Sequence, residues 1–275
     1  MSVYLGIDFS GTQEMWDQKV RKPNVWIAEV IKINNSRYKL TDLRTVQQLE
    51  GGGKPYSRLI SLLRAGNYEA AGIDAPFSIP KAFLPKLGHK ELLESFSDFD
   101  GIDESDFPAA EMFFKNVTGQ TDKLSPPKPL RCTEQCWASQ NVNVRSTLWV
   151  EPRGGSGMTS ACLTLLHKAQ RPIWPWSKRS SKRLLVEAFP AAQLKVWGMP
   201  HTKYNGDNGS HNRKIIVKEL SKRISFGKDR QMVIGNADAL DAVICAFAAI
   251  AVKTRALHSI PLKECIEEGW IAVHI

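Results

Sequence analysis

The sequence lacks the features that mark membrane-spanning and disulfide-stapled proteins. Among its 275 residues, no apolar run reaches the roughly 18 residues that a transmembrane helix needs. The chain enters a strand-like run directly after Met1, without a basic leader or a cleavage site. Its five cysteines are odd in number and scattered, which does not suggest a disulfide framework and fits a reducing compartment. We therefore expect an unexported protein of the cytoplasm.

Acidic residues are fewer than basic ones, 28 against 37, and the net charge is +9. The basic residues gather in two stretches, 168–183 and 213–230, at a density that suits a phosphate backbone. Solvated helix faces are the alternative interpretation. On the first interpretation the partner is nucleic acid, with DNA or RNA and the oligomeric state left open. The candidate contacts are Lys178, Arg179, Lys182, Arg183, Arg213 and Lys214. A stretch of opposite charge, 90–111, is expected to be an exposed acidic flap.

The length and the 43% hydrophobic content allow one substantial core. We expect a single domain, 1–275, whose core comprises 1–80 and 181–275. The stretch between them is rich in proline and irregular in pattern, and we interpret about 81–180 as an inserted cap.

The pattern of the core predicts an α/β fold with a mixed sheet flanked by helices. Three extended stretches with tight connections indicate an antiparallel meander, and a helix then leads to a strand parallel to the first. The predicted strands are 3–9, 25–33, 37–43, 70–74, 184–188 and 270–275. The predicted helices are 56–65, 191–196, 210–224 and 237–252.

Four acidic residues stand in or beside apolar elements, where a carboxylate is costly unless it is paired or binds a metal. Asp8, Asp74 and Glu187 each end an apolar strand, and Asp241 lies in the apolar helix 237–252. Asp238 precedes Asp241 by three residues, so both lie on one helix face. Turn and capping roles are the alternative for Asp8 and Asp74, and a position facing solvent is the alternative for Glu187. A first-turn position after a capping Asn236 is a satisfactory alternative for Asp238.

The combination favours a metal site built from oxygen ligands, because no usable set of histidines or cysteines accompanies it. Carboxylate oxygens suit hard divalent cations, Mg²⁺ or Mn²⁺. One or two such ions would activate water and stabilise the leaving oxygen of a phosphodiester. The candidate catalytic residues are Asp8, Asp74, Glu187 and Asp241, and the candidate metal ligands are the same four with Asp238.

These residues also carry a resemblance to a known group of proteins. The order of elements and acids resembles the ribonuclease H-like superfamily, especially its Holliday-junction resolvase branch. More narrowly, four motifs along the chain look like domain-of-unknown-function family 429 (DUF429), described as predicted ribonuclease H-like nucleases. The motifs are Gly6-Ile7-Asp8, Gly72-Ile73-Asp74-Ala75-Pro76-Phe77-Ser78-Ile79-Pro80, Val186-Glu187-Ala188-Phe189-Pro190 and Asp238-Ala239-Leu240-Asp241-Ala242.

The resemblance implies a metal-dependent nuclease fold with Asp8, Asp74, Glu187 and Asp241 as ligands and Asp238 as a fifth candidate. The superfamily's usual acid in the first crossover helix has no clear counterpart in this chain, and Glu187 is expected to replace it. The segment 130–134 resembles an arginine-plus-acid segment of the family, which implies that Arg131 contacts phosphate.

Two other functions compete with the nuclease interpretation. Residues 8–12 resemble the phosphate loop of actin-like sugar kinases, but the chain is too short for the two cores that such a phosphotransferase places around ATP. In the other alternative the acids are relics and the protein is a non-catalytic module that binds nucleic acid.

Overall fold

The computed structural model describes residues 2–34, 37–98, 106–121, 124, 128–151 and 154–275. These residues contain one sheet with helices on both faces. The strands are β1 (Val3–Asp8), β2 (Trp26–Lys32), β3 (Tyr38–Thr45), β4 (Ala70–Asp74), β5 (Ile173–Trp174), β6 (Leu184–Glu187) and β7 (Ile224–Ser225). The α-helices are α1 (Pro55–Ala65), α2 (His89–Glu94), α3 (Ala110–Thr118), α4 (Cys132–Ser139), α5 (Ser156–Ala169), α6 (Pro190–Val196), α7 (Ser210–Leu220), α8 (Arg230–Gly235) and α9 (Ala237–Thr254).

The sheet has the mixed topology that the sequence predicts. Its strand order is β5-β6-β4-β1-β2-β3-β7. β1, β2 and β3 form the antiparallel meander, while β4 runs parallel to β1 and β6 runs parallel to β4. The α/β fold class is therefore confirmed. The predicted last strand, 270–275, is wrong, because that segment contributes only an isolated bridge between Leu257 and His274.

Both faces of the sheet are covered by helices. α9 packs across β1, β4 and β2 on one face, and α1 and α5 contribute to the apolar core on the other. α5 and β5 fall inside the stretch interpreted as a cap, yet the side chains of Leu163, Leu165 and Ile173 are buried in that second core. Part of the stretch interpreted as a cap, α5, thus contributes to the core.

The approach of α9 to the sheet depends on two glycines. Gly6 and Gly72 lie opposite each other in the paired strands β1 and β4. A Cβ atom on Gly6 would lie 2.0 Å from the carbonyl oxygen of Ala242, and one on Gly72 would lie 1.9 Å from that of Cys245. No side chain fits between the strands and the helix backbone at these two positions. The two glycines therefore fix how closely α9 lies over the ends of β1 and β4.

The structure shows how two of the five cysteines are arranged. The structure pairs Cys132 with Cys265 in a disulfide, which the sequence analysis did not predict. The two residues are 133 positions apart, and only the folded chain brings their Cα atoms to 5.5 Å.

Among the described residues, no helix combines the length and the apolar character needed to cross a membrane. The predicted acidic flap at 90–111 includes 99–105, which lie outside the described residues.

The close approach of α9 predicts that Gly72→Ala destabilises the protein. We expect a loss of at least about 2 kcal/mol in the free energy of unfolding, because the new methyl group overlaps backbone atoms that cannot turn away. Urea unfolding measures it. Gly235→Ala is the matched control, since a Cβ there meets no atom within 4 Å. Equal unfolding midpoints for Gly72→Ala and the wild type would contradict this account of the packing.

Candidate metal centre

Three aspartates meet at the edge of the sheet where β1 and β4 end. Asp8 and Asp74 are direct neighbours in the pairing of β1 with β4. Asp241, 8% exposed, comes from the second turn of α9, which lies above them. One carboxylate oxygen from each of Asp8, Asp74 and Asp241 lies within 4.8 Å of the other two. The sequence prediction that these three acids converge is confirmed.

The helix that carries Asp241 begins as the sequence predicts. The side chain of Asn236 accepts a hydrogen bond of 2.9 Å from the backbone N–H of Ala239, so Asn236 is the N-cap of α9. Asp238 follows in the first turn and is half-buried, but it is not part of the three-carboxylate cluster. Its charge still reaches the cluster, because it raises the pKa of both Asp8 and Asp241.

The cluster brings together negative charges in a poorly solvated place. Burial is the main cause that raises the pKa of Asp8, followed by the charges of Asp241, Asp74 and Asp238. Burial, and then the charge of Glu187, raises the pKa of Asp74 to about 7. Burial and the charge of Asp74 likewise raise the pKa of Asp241. Three neighbouring buried carboxyl groups ionise together only when an opposite charge is close by. The cluster therefore favours the binding of a cation.

Tyr204, which sequence analysis missed, holds one oxygen of the cluster. Its hydroxyl donates a hydrogen bond of 3.0 Å to Oδ1 of Asp241, and both side chains are buried. This bond lowers the pKa of Asp241 against the larger effects of burial and repulsion. Tyr204 lies in the connection between α6 and α7, where no hydrophobic period or strand end marks it in the sequence. Its contribution arises only from the folded chain.

The structure corrects the role predicted for Glu187. This residue ends β6 beside Asp74, but it is not part of the three-aspartate cluster. Its Oε1 accepts a 2.5 Å hydrogen bond from Nη2 of Arg131, and its Oε2 accepts bonds from Nη1 of Arg131 at 2.8 Å and from the N–H of Phe77 at 3.1 Å. Both carboxylate oxygens are thus engaged. Glu187 is placed to hold the segment that follows Asp74.

Arg131 and Arg213 do not face solvent, so the prediction that they contact phosphate is wrong for both. Arg131 is 1% exposed and forms ion pairs with Glu187 at 2.5 Å and Glu134 at 3.0 Å. Arg213 is 3% exposed and donates hydrogen bonds to four backbone carbonyl oxygens. Those oxygens belong to Tyr204, Gly206, Ile234 and Gly235. Arg213 therefore ties the Tyr204 segment to the start of α9.

The remaining predicted contacts lie on two segments, α7 and the connection from β5 to β6. Lys214 is exposed on α7. Lys178, Arg179, Lys182 and Arg183 belong to the connection from β5 to β6, and Arg183 immediately precedes the first residue of β6. Because β6 runs parallel to β4, Arg183 lies at the opposite edge of the sheet from Asp74. Arg183 is therefore not next to the aspartate cluster.

The comparisons with known proteins give one match. The model of a family described as "Protein of unknown function (DUF429)" matches residues 8–264, which include the three aspartates of the cluster. No curated protein and no solved structure matches the chain.

The raised pKa values predict how the metal-free protein responds to pH. A carboxyl group whose pKa is higher in the folded state contributes stability below its unfolded pKa, about 4, and this contribution is lost as pH rises through the folded value. For Asp74 the loss extends to about pH 7. In EDTA, the urea midpoint should therefore fall between pH 5 and pH 8 more in the wild type than in Asp74→Asn. Asp42→Asn, at an exposed position, should behave as the wild type, and an equal fall in all three proteins would contradict the prediction.

The buried ion network predicts that Arg131→Met is strongly destabilising. The substitution leaves Glu187 and Glu134 buried without their partner, which typically costs about 3–5 kcal/mol. Thermal and urea unfolding measure the loss. Lys222→Met, which removes the exposed pair with Glu219, serves as the control and should change little. A small effect of Arg131→Met would show that Glu187 has another partner.

Proposed function

The chain belongs to the DUF429 family, and from the three-aspartate cluster that it builds we propose that it is a divalent-metal-dependent nuclease. The observation that carries this proposal is the convergence of Asp8, Asp74 and Asp241 within 4.8 Å. The reaction proposed is hydrolysis of a phosphodiester bond of nucleic acid.

The residues of the cluster fit a hard divalent cation. All three offer carboxylate oxygens, which Mg²⁺ and Mn²⁺ prefer. Among the described residues, no lysine or arginine forms an ion pair with any of these aspartates. A bound cation would therefore balance their negative charge. Asp8 and Asp74 are only half-buried, which leaves the cluster open at the sheet edge. A cation bound there would supply an activated water and stabilise the leaving oxygen.

The surrounding residues keep the three ligands in place. The paired ends of β1 and β4 hold Asp8 and Asp74 side by side. The hydroxyl of Tyr204 holds Oδ1 of Asp241 by a hydrogen bond. Glu187 and Arg131 fix the backbone of Phe77, three residues after Asp74. Asp238, one helical turn before Asp241, is the candidate ligand for a second ion.

Nucleic acid is the proposed substrate because the chain carries a net charge of +9 and a phosphodiester backbone is polyanionic. Lys214 is the exposed base that we assign to the substrate on α7, the helix that Arg213 ties to the start of α9. We also propose a cytoplasmic location, which rests on three free cysteines among the described residues. The Cys132–Cys265 disulfide argues against that location, since such bonds are rare in the cytoplasm.

The test is cleavage of single-stranded, duplex, hybrid and branched nucleic acids in Mn²⁺, with the wild type compared to Asp8→Asn and Asp241→Asn. We expect cleavage of at least one substrate by the wild type and loss of turnover in both variants, because each removes a charged ligand from the cluster. Asp42→Asn is the matched control, since that aspartate lies on β3 outside the cluster, and it should retain full activity.

Two results would contradict the nuclease. Full activity of Asp8→Asn would show that the cluster takes no part in the reaction. Binding without cleavage by a wild type that also fails to bind Mn²⁺ would favour the non-catalytic module.

A further inference from the structure

Three arginines gather at the sheet edge that lies opposite the aspartates. Arg183 precedes Leu184, whose partner in β4 is Ala70, the first residue of that strand. Asp74 is the last residue of the same strand. Because a strand rises about 3.3 Å per residue, the two edges are about 13 Å apart along β4. A phosphate bound at Arg183 therefore does not reach the aspartate cluster.

Each of these arginines is fixed through its Nε atom, which donates to a backbone carbonyl. Arg64 donates to Lys168 at 2.7 Å, Arg171 donates to Ala169 at 3.3 Å, and Arg183 donates to Gly66 at 2.9 Å. These bonds connect the ends of α1 and α5 with the start of β6. Within the part of the chain that the structure describes, no hydrogen bond or ion pair engages the terminal NH groups of the three. The guanidinium ends are thus oriented and available.

The three side chains also lie near one another. Arg183 contacts Gly66, which is two residues from Arg64. Burial raises the pKa of the Tyr68 hydroxyl, and the neighbouring charges of Arg171 and Arg183 partly lower it. One acid near this edge, Glu69, is itself paired with Lys253 at 3.4 Å. We call the surface formed by Arg64, Arg171 and Arg183 the arginine edge, and it carries a net positive charge.

The basic surface continues along the connection between β5 and β6. Lys178 and Lys182 are exposed there, and Arg179 is half-buried. The two tryptophans of this stretch are occupied, since Trp174 lies in the core and Trp176 stacks on His89 with ring centroids 3.5 Å apart. Neither presents a free ring for stacking on a base. Contacts at this surface are therefore made by charged groups alone.

We infer that the arginine edge is a second contact surface for nucleic acid. It binds the phosphate backbone of a part of the nucleic acid other than the part that reaches the aspartates. Guanidinium groups held by Nε present two parallel N–H donors that match phosphate oxygens. Without a free aromatic ring, the contact would be independent of base sequence. A membrane surface fits less well, because the large apolar side chains found exposed lie on other segments, among them Leu87 and Ile260.

This inference rests on the proposed function only in its choice of nucleic acid as the polyanion. A nucleic acid long enough to contact both edges should bind more tightly than a dinucleotide, whose single phosphodiester group can occupy one edge at a time. The surface thus favours long or branched substrates over short fragments.

The test measures the affinity of the full chain for a long single strand in EDTA over a range of salt concentrations. Because each phosphate contact contributes about 0.7 to the slope of log K against log salt, substituting glutamine at Arg64, Arg171 and Arg183 together should reduce the slope by about 2. Glutamine at Lys178 and Lys182, whose side chains are exposed, should reduce it by about 1.4. Binding is measured without metal, so a failure of the proposed cleavage leaves this result unaffected.

Two controls separate the surface from total charge. Lys86, Lys115 and Lys263 are exposed on other segments. Substituting glutamine at all three removes the same number of positive charges and should leave the slope nearly unchanged. Lysine at the three arginine positions should keep most of the slope. An unchanged slope in folded variants of the basic surface would overturn the inference, as would an equal loss in the control. Binding to acidic phospholipid vesicles with none to nucleic acid would also overturn it.

Discussion

The contact between α9 and the sheet is the constraint on which the site depends. Gly6 and Gly72 lie two residues before Asp8 and Asp74, and they let the helix backbone touch the strands where any side chain would overlap it. This approach brings Asp241 within 4.8 Å of the two strand-end aspartates. A helix held farther away by even a methyl group would leave the three carboxylates apart. Packing at the glycine pair therefore sets the geometry of the acids.

Two groups of buried acids in this protein differ in how their charge is balanced. Glu187 and Glu134 share Arg131, a buried network in which every charge has a partner. Among the residues that the structure describes, Asp8, Asp74 and Asp241 have the hydroxyl of Tyr204 and the more distant charge of Arg213 to offset their mutual repulsion. The first arrangement leaves no buried charge uncompensated, while the second is costly without a cation. This contrast is the physical reason to assign function to the aspartates and a structural role to Glu187.

The sequence predicts the elements of this fold well where the signal is local. Strand-end acids, the capping Asn236 and the long apolar helix are all visible in short windows, so the meander, α9 and the aspartate cluster follow from them. Partners that lie far apart along the chain are not visible. Arg131 and Glu187 are separated by 56 residues. Without knowledge of that carboxylate partner, the arginine is expected to be exposed. Tyr204, the disulfide and the opposite position of Arg183 likewise depend on the tertiary fold.

The most direct test of the central claim is a crystal of the protein soaked in Mn²⁺, with anomalous scattering used to locate the ion. The account predicts a peak bound by carboxylate oxygens of Asp8, Asp74 and Asp241, with Tyr204 still bonded to Asp241 and Glu187 still bonded to Arg131. A peak that draws Glu187 away from Arg131 would contradict the assignment of Glu187. No peak at the cluster in saturating Mn²⁺, with the three aspartates unchanged, would contradict the metal site itself.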